Sequence, residues 1–241
     1  MKALRPRVAP NGEVFPTTYR IGASISRVVG RVVFRVRYEG LDNVPVDGGG
    51  ILAPNHVSFL DPLLIASRVD RPMVFIAHEL FFAKQPLGTW LRRAGGFPVA
   101  SGGESTGGIR EVLRELKAGR LLGMFPEGTR SWDGRLLPAM AGVGLLVAAT
   151  DVPVIPVHVD GAYDAWPRHR RIPRPHRVTV RFGAPVQLDE IRQRMTLDRK
   201  NRRAHQQAIA DAVMDAIAAL APGPAAMTHR RATVPQRPTG S

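Results

Sequence analysis

Cysteine is absent from the 241 residues, which excludes disulfides, thiolate metal sites and cysteine nucleophiles and fits a reducing compartment. Long apolar runs are absent as well. The longest apolar stretch, Leu136 to Thr150, is broken by Pro138, Gly142 and Gly144 and falls short of the roughly 18 residues a membrane-spanning helix needs. The N-terminus has basic residues but no apolar core leading to a small-residue cleavage site, so a secretory signal is not expected. Aromatic residues make up only 6%, leaving few rings for bases to stack on, and no known nucleic-acid module is present; nucleic acid is disfavoured as a partner. Acidic residues are scarce, with 20 Asp and Glu against 34 Lys and Arg, and the formal net charge is +14. That excess calls for a polyanion: an anionic membrane surface, an acidic carrier protein, or a phosphorylated substrate.

What remains is a chain with 44% hydrophobic and 22% charged residues, enough for one α/β domain with a sizeable core or for two small domains. Residues 1–16 contain Pro and Gly without a clear period and read as a loose arm. From Thr17 to Arg37 the residues Ile21, Ile25, Val28, Val29, Val32, Val33 and Val36 recur at helical spacing, with Arg20, Arg27, Arg31 and Arg35 between them. The spacing predicts a basic amphipathic helix over 17–37, and its β-branched content allows a strand near the end. Such a helix either lies on anionic lipid or packs its stripe on the core and leaves its basic face in solvent.

Beyond it the chain alternates. Strand-like apolar runs cover Gly50–Pro54, Met73–Ala77, Phe97–Ala100, Leu121–Phe125, Val154–Val159 and Val178–Phe182, and helical patterns cover Leu60–Arg68, Pro86–Ala94, Ser105–Ala118 and Ala139–Ala149. This alternation predicts an α/β fold with a mixed, largely buried central sheet flanked by helices, spanning 38–221. Asp198 to Leu220 reads as a last amphipathic helix on a stripe including Ile209, Val213 and Ile217. The Pro-rich, polar residues 222–241 read as a disordered tail.

Two segments carry chemistry. Pro54-Asn55-His56-Val57-Ser58-Phe59-Leu60-Asp61-Pro62 follows a predicted buried strand. His56 and Asp61 are five residues apart, off the same face of any continuous helix, so they meet only across a strand-to-helix turn. If they meet, His56 can take a proton from an attacking hydroxyl while Asp61 orients the imidazole. The same residues also read as a helix start, with Ser58 to Asp61 as a capping box or Asp61-Pro62 as cap and first helical position. In the second segment, Phe125-Pro126-Glu127-Gly128-Thr129-Arg130-Ser131, Pro126 ends a strand and Gly128 permits close backbone approach. Arg130 offers a planar fork suited to phosphate, and Thr129 and Ser131 add hydroxyls. Glu127 can hold Arg130 or accept from a substrate hydroxyl; a surface turn with a local ion pair is the plainer alternative.

A dense basic stretch around Pro167–Arg181 contains Arg168, His169, Arg170, Arg171, Arg174, His176, Arg177 and Arg181. It suits lipid headgroups, donor phosphates or an acidic carrier, and equally a solvated loop.

Four ordered blocks together resemble the glycerolipid acyltransferase family typified by 1-acylglycerol-3-phosphate acyltransferases. They are Asn55-His56 through Asp61, Gly95-Gly96-Phe97-Pro98-Val99, Phe125 to Ser131, and the apolar run Val152 to Val157, and the similarity covers roughly Val36 to Val186. The resemblance implies acyl-CoA or acyl-carrier protein as donor and a lysophospholipid as acceptor, most typically 1-acylglycerol-3-phosphate giving phosphatidic acid. It implies a peripheral place on the cytoplasmic face of the cell membrane and no metal or organic cofactor. It assigns His56 as base, Asp61 as its partner, and Glu127, Gly128, Thr129 and Arg130 to the acceptor, with Asn55, Ser58, Phe125, Pro126 and Ser131 in contact or in support. The chain departs from the pattern twice: Ser101 stands where an arginine is usual, and Ala77 and His78, not a lysine, precede Glu79-Leu80-Phe81. Arg92, Arg93 or Arg110 are candidates to replace those cations. A different lysolipid head group, or a non-catalytic basic lipid- or nucleic-acid-binding module, are the alternatives.

Overall fold

The computed structural model describes residues 17–69, 71, 73–78, 82, 83, 85, 88, 89, 96–99 and 106–223. The N-terminal arm, most of the expected helix Pro86–Ala94, Glu79 to Phe81, Arg92, Arg93, Ser101 and nearly all of the C-terminal tail lie outside these residues.

The described strands are β1 (Arg37–Glu39), β2 (Gly50–Pro54), β3 (Met73–His78), β4 (Gly96–Val99), β5 (Leu121–Gly123), β6 (Val154–Asp160) and β7 (Thr179–Phe182). They form one seven-stranded sheet in the order β1-β7-β6-β2-β5-β3-β4. Neighbours are parallel except β6 and β7, so the sheet is mixed. The helices are α1 (Thr17–Val32), α2 (Asp61–Arg68), α3 (Thr106–Lys117), α4 (Ala141–Ala148), α5 (Ala162–Ala165), α6 (Asp189–Leu197) and α7 (Arg202–Ala219).

The central strands β2 and β5 are apolar throughout because both faces are covered. All five residues of β2 are buried. Leu52, on one face, joins a core with Phe34, Leu64, Ile65, Ile155 and Val157. Ile51 and Ala53, on the other, join Val112, Leu116, Leu146, Ile209, Val213 and Ile217 from α3, α4 and α7. Each fully buried Leu or Ile of these layers stabilises the fold by about 1.5–3 kcal/mol. Gly144 lets α4 sit directly on α7, since a Cβ there would collide with the Gln206 carbonyl.

The structure differs from the sequence reading in several places. The N-terminal helix ends at Val32, not Arg37. Phe34 turns into the core, Arg35 takes a left-handed φ of 44°, and Arg37 begins β1 by bonding the Val178 carbonyl. Strand β5 stops at Gly123, after which Met124 still reaches the Leu52 carbonyl before Phe125 starts a turn. Helix α6, not anticipated, buries no residue.

The stripe of α1 faces outward. Ile21, Ile25, Val28, Val29, Val32 and Val33 are 36% to 70% exposed. The helix instead attaches through Gly30 against Leu64 and through Arg27, which donates twice to the Ser67 carbonyl at 3.0 and 2.7 Å.

Candidate functional site

Strands β6, β2 and β5 are adjacent, with β2 parallel to both neighbours, so the loops at their carboxyl ends stand side by side. That rim is where open α/β sheets place ligands. The loop after β2 carries His56, the loop after β5 carries Glu127 to Arg130, and the loop after β6 leads through α5 to Trp166 and Arg168.

His56 and Asp61 meet across the turn the spacing required. The His56 Nδ1 lies 2.9 Å from Asp61 Oδ2. The same oxygen accepts from the backbone amides of Val57 and Ser58, each at 2.8 Å. The cap reading is thus half realised: Asp61 is the first residue of α2 and reaches back to the amide of Ser58, while the Ser58 hydroxyl accepts from Leu60 at 3.2 Å. One carboxylate oxygen closes the turn and holds the imidazole. A carboxylate only accepts, so Nδ1 carries the proton and the lone pair sits on Nε2. The other oxygen, Oδ1, is buried with no hydrogen-bond partner. Phe125 stacks on the His56 ring at a centroid distance of 3.8 Å.

Asn55 clasps the neighbouring strand. Its side chain donates to the Val159 carbonyl at 3.1 Å and accepts from the Val159 amide at 2.7 Å. Ser58 donates to the Trp166 carbonyl at 2.8 Å, tying the β2 loop to the third loop. Both residues support the loop from within the protein.

Glu127 is buried, and it does not pair with Arg130. Its two oxygens accept from the backbone amides of His56 at 2.8 Å and Leu137 at 3.0 Å. Burial pushes its carboxyl up to about 8, against the pull of those two amides. Its place is therefore between loops rather than facing a substrate hydroxyl. Ser131 adds a second tie, its amide donating to the His56 carbonyl at 2.8 Å, while its hydroxyl donates to Asp133. Gly128 turns the loop at a φ of 67°, a conformation other residues adopt at a cost of about 1–2 kcal/mol. Gly128 and Thr129 are exposed, and Pro126 is buried with its carbonyl accepting from Met140.

The guanidinium of Arg130 lies 3.5 Å over the Phe59 ring, and its Nη1 is buried without a partner. Burial holds this group below the ordinary arginine range, with the nearby charge of Arg168 adding to it and that of Asp61 opposing. Arg168 stacks 3.6 Å over Trp132 and donates to the Arg130 carbonyl at 3.0 Å. Phe59, Trp132 and Arg168 were not singled out from the sequence. Phe59 stands between His56 and Asp61 in the first motif and is 41% exposed. Arg168 was one of many in the basic run. Of the proposed replacement cations, Arg110 is exposed on α3.

A cleft of about 370 Å³ is lined by Asn55, Val57, Leu136, His158 and Tyr163 among others, but not by His56. Burial pushes His158 down to about 4, so it stays neutral. No group of three or more His, Cys, Asp or Glu suited to a metal occurs among the described residues.

The chain is similar to known proteins in sequence and in fold. The chain is 27% identical to the crystal structure of the 1-acyl-sn-glycerophosphate acyltransferase PlsC from Thermotoga maritima, covering 82% of this chain and 78% of that one with a TM-score of 0.62. It is 32% identical over 143 residues to a 1-acyl-sn-glycerol-3-phosphate acyltransferase of Cocos nucifera, 56% of this chain and 45% of that protein. It is 27% identical over 158 residues to the protein of that name from Streptococcus pneumoniae, 64% and 57%. The chain thus spans about half the length of these two curated relatives. The family model described as Acyltransferase matches residues 35–160. That match opens just before β1 and closes with β6, taking in both motif loops of the site, and the chain belongs to the acyltransferase family.

Proposed function

We propose that the chain is an O-acyltransferase that moves a fatty acyl group from a thioester, acyl-CoA or acyl-carrier protein, to the free hydroxyl of a lysophospholipid. The acceptor that fits best is 1-acylglycerol-3-phosphate, and the product is phosphatidic acid. The observation that carries this reading is the 2.9 Å contact of His56 Nδ1 with Asp61 Oδ2, beside a loop bearing an unpartnered, buried guanidinium nitrogen.

In this reading the acceptor O–H approaches His56 Nε2 as its oxygen attacks the thioester carbonyl. The proton passes to Nε2, and Asp61 stabilises the resulting imidazolium. The tetrahedral intermediate collapses to the ester and expels the thiolate, which takes the proton back from His56. Proton and acyl group are both accounted for, and the scheme needs no covalent enzyme intermediate. Arg130 holds the acceptor phosphate through charge-assisted hydrogen bonds. Glu127 acts on the reaction only by fixing the backbone of His56.

The outward stripe of α1 is the natural membrane contact. No helix among the described residues is long and apolar enough to cross a bilayer. An exposed apolar row beside Arg20, Arg31 and Arg35 suits the surface of an anionic leaflet, where a lysophospholipid resides. A peripheral position on the cytoplasmic face gives the site both its lipid acceptor and its soluble donor.

The test is acyl transfer from acyl-CoA to a panel of lysolipids, read by mass spectrometry, with wild type and His56→Ala. Transfer by wild type and its loss in a folded His56→Ala variant are expected. Near-wild-type transfer by the variant refutes the assignment of the base. Vesicle and oligonucleotide binding without any transfer by wild type would favour a non-catalytic module.

A further inference from the structure

We infer that Arg168 is a specificity-determining residue that completes, with Arg130, a paired-guanidinium seat for the acceptor's phosphate monoester, an inference that rests on the acyl-transfer reading above.

The arginines come from different loops, and the fold brings them together. Arg168 Nη1 donates to the Arg130 carbonyl at 3.0 Å, so the second cation is attached to the backbone of the first. Each guanidinium is laid flat on an aromatic ring, Arg130 on Phe59 and Arg168 on Trp132, at 3.5 and 3.6 Å. Stacking fixes the plane of a guanidinium, whose donors lie along its edge. Arg130 Nη1 has no partner and is buried. The two charges act on one another and oppose the ionised state of Arg130. A pair of like charges held this close gains when a dianion arrives, since a phosphate monoester accepts from both forks.

The seat is also joined to the base. Ser131, next to Arg130, donates to the His56 carbonyl at 2.8 Å. Ser58, two residues beyond His56, donates to the Trp166 carbonyl at 2.8 Å, two residues before Arg168. Tyr163 donates to the Trp132 carbonyl at 2.8 Å and fastens the shelf on its far side. A phosphate held by both arginines therefore sits on loops registered to His56, and a hydroxyl elsewhere on the same acceptor comes to Nε2 in a fixed relation. A lysolipid lacking a terminal phosphate loses this second contact.

Two measurements on the full chain test this. The first compares kcat and KM for lysophosphatidate in detergent micelles for wild type, Arg168→Gln, Arg168→Lys and Arg194→Gln, the last removing an equal charge from exposed α6. Arg168→Gln should raise KM about 10- to 100-fold, the loss of one charge-assisted contact, with kcat within about threefold of wild type. Arg168→Lys should recover part of the loss, and Arg194→Gln should match wild type. An unchanged KM in Arg168→Gln, or a fall in kcat with KM unchanged, overturns the inference. The second measurement is independent of turnover: inorganic phosphate is titrated against tryptophan fluorescence, with Trp132 under Arg168 as reporter. Saturable quenching in wild type that is lost in Arg168→Gln supports the seat even if wild type transfers no acyl group, in which case only the acyl-transfer reading fails. No quenching in wild type, together with an unchanged KM in Arg168→Gln, refutes the seat while leaving acyl transfer intact.

Discussion

Replacing Asp61 by Asn tests the chemistry with little change of shape. An amide oxygen can still face the three donors that now meet Oδ2, namely His56 Nδ1 and the amides of Val57 and Ser58. What the substitution removes is the negative charge beside the imidazole. With charge centres roughly 4 Å apart and an effective dielectric constant of about 20, the attraction lost when His56 becomes cationic is ~4 kcal/mol. At ~1.4 kcal/mol per tenfold, kcat should fall about 10³-fold. The structural cost is smaller: the amide NH₂ takes the place of Oδ1, buried and without a partner, at about 1–3 kcal/mol. For a chain of this size that lowers the melting temperature by ~2–4 °C per kcal/mol. The assay follows thiol release from acyl-CoA with a thiol-reactive dye, and a chain without cysteine gives no background of its own. Asp61→Asn added to His56→Ala should cost almost nothing further, because the carboxylate acts through the imidazolium. A folded Asp61→Asn enzyme keeping more than about a tenth of wild-type kcat would refute the reasoning, since that corresponds to less than ~1.4 kcal/mol.

Three other outcomes follow from the same contacts. Asn55→Ala leaves the buried amide and carbonyl of Val159 without partners and should destabilise the fold by roughly 2–4 kcal/mol, measured by denaturant titration. Glu127 binds its proton more tightly folded, near pH 8, than unfolded, near 4.5; its stabilising effect is therefore full below about 4.5 and is lost as pH rises toward 8. Glu127→Gln should accordingly show a shallower decline in melting temperature than wild type between about pH 5 and pH 8, and an equal slope would contradict the assigned shift. Val28→Asp with Val32→Asp, on the outward face of α1, should weaken co-sedimentation with anionic vesicles while the melting temperature stays within a few degrees, because neither side chain is buried.

How much of this could be read beforehand depends on where each signal resides. Strand β2 was legible to the residue because Gly50 to Pro54 is buried on both faces and so is apolar at every position. Strand β1 was not: three residues with charged ends, paired only to β7 at the sheet edge, show no period. Helix α6 was missed for a related reason, since a helix that buries nothing has no stripe. In the site, the meeting of His56 and Asp61 was legible as a local turn. The destination of Glu127 was not, because its partner is the amide of His56, 71 positions away, and backbone amides leave no trace in a sequence. Arg168 likewise stands apart from its basic neighbours only once Trp132 and the Arg130 carbonyl are in place.

The three adjacent strands β6, β2 and β5 divide the labour of the site among separate pieces of chain. The piece after β2 holds His56, the piece after β5 bonds to its backbone, and the piece after β6 touches the other two through the hydrogen bonds Ser58–Trp166, Tyr163–Trp132 and Arg168–Arg130. It is anchored to the sheet by its own strands, β6 before it and β7 after. Residues 171 to 177 of this piece are exposed and lie beyond those ties, so their charge can drift without moving His56. On the proposed reading, such a layout keeps the part that meets the head group separate from the part that would carry acyl transfer.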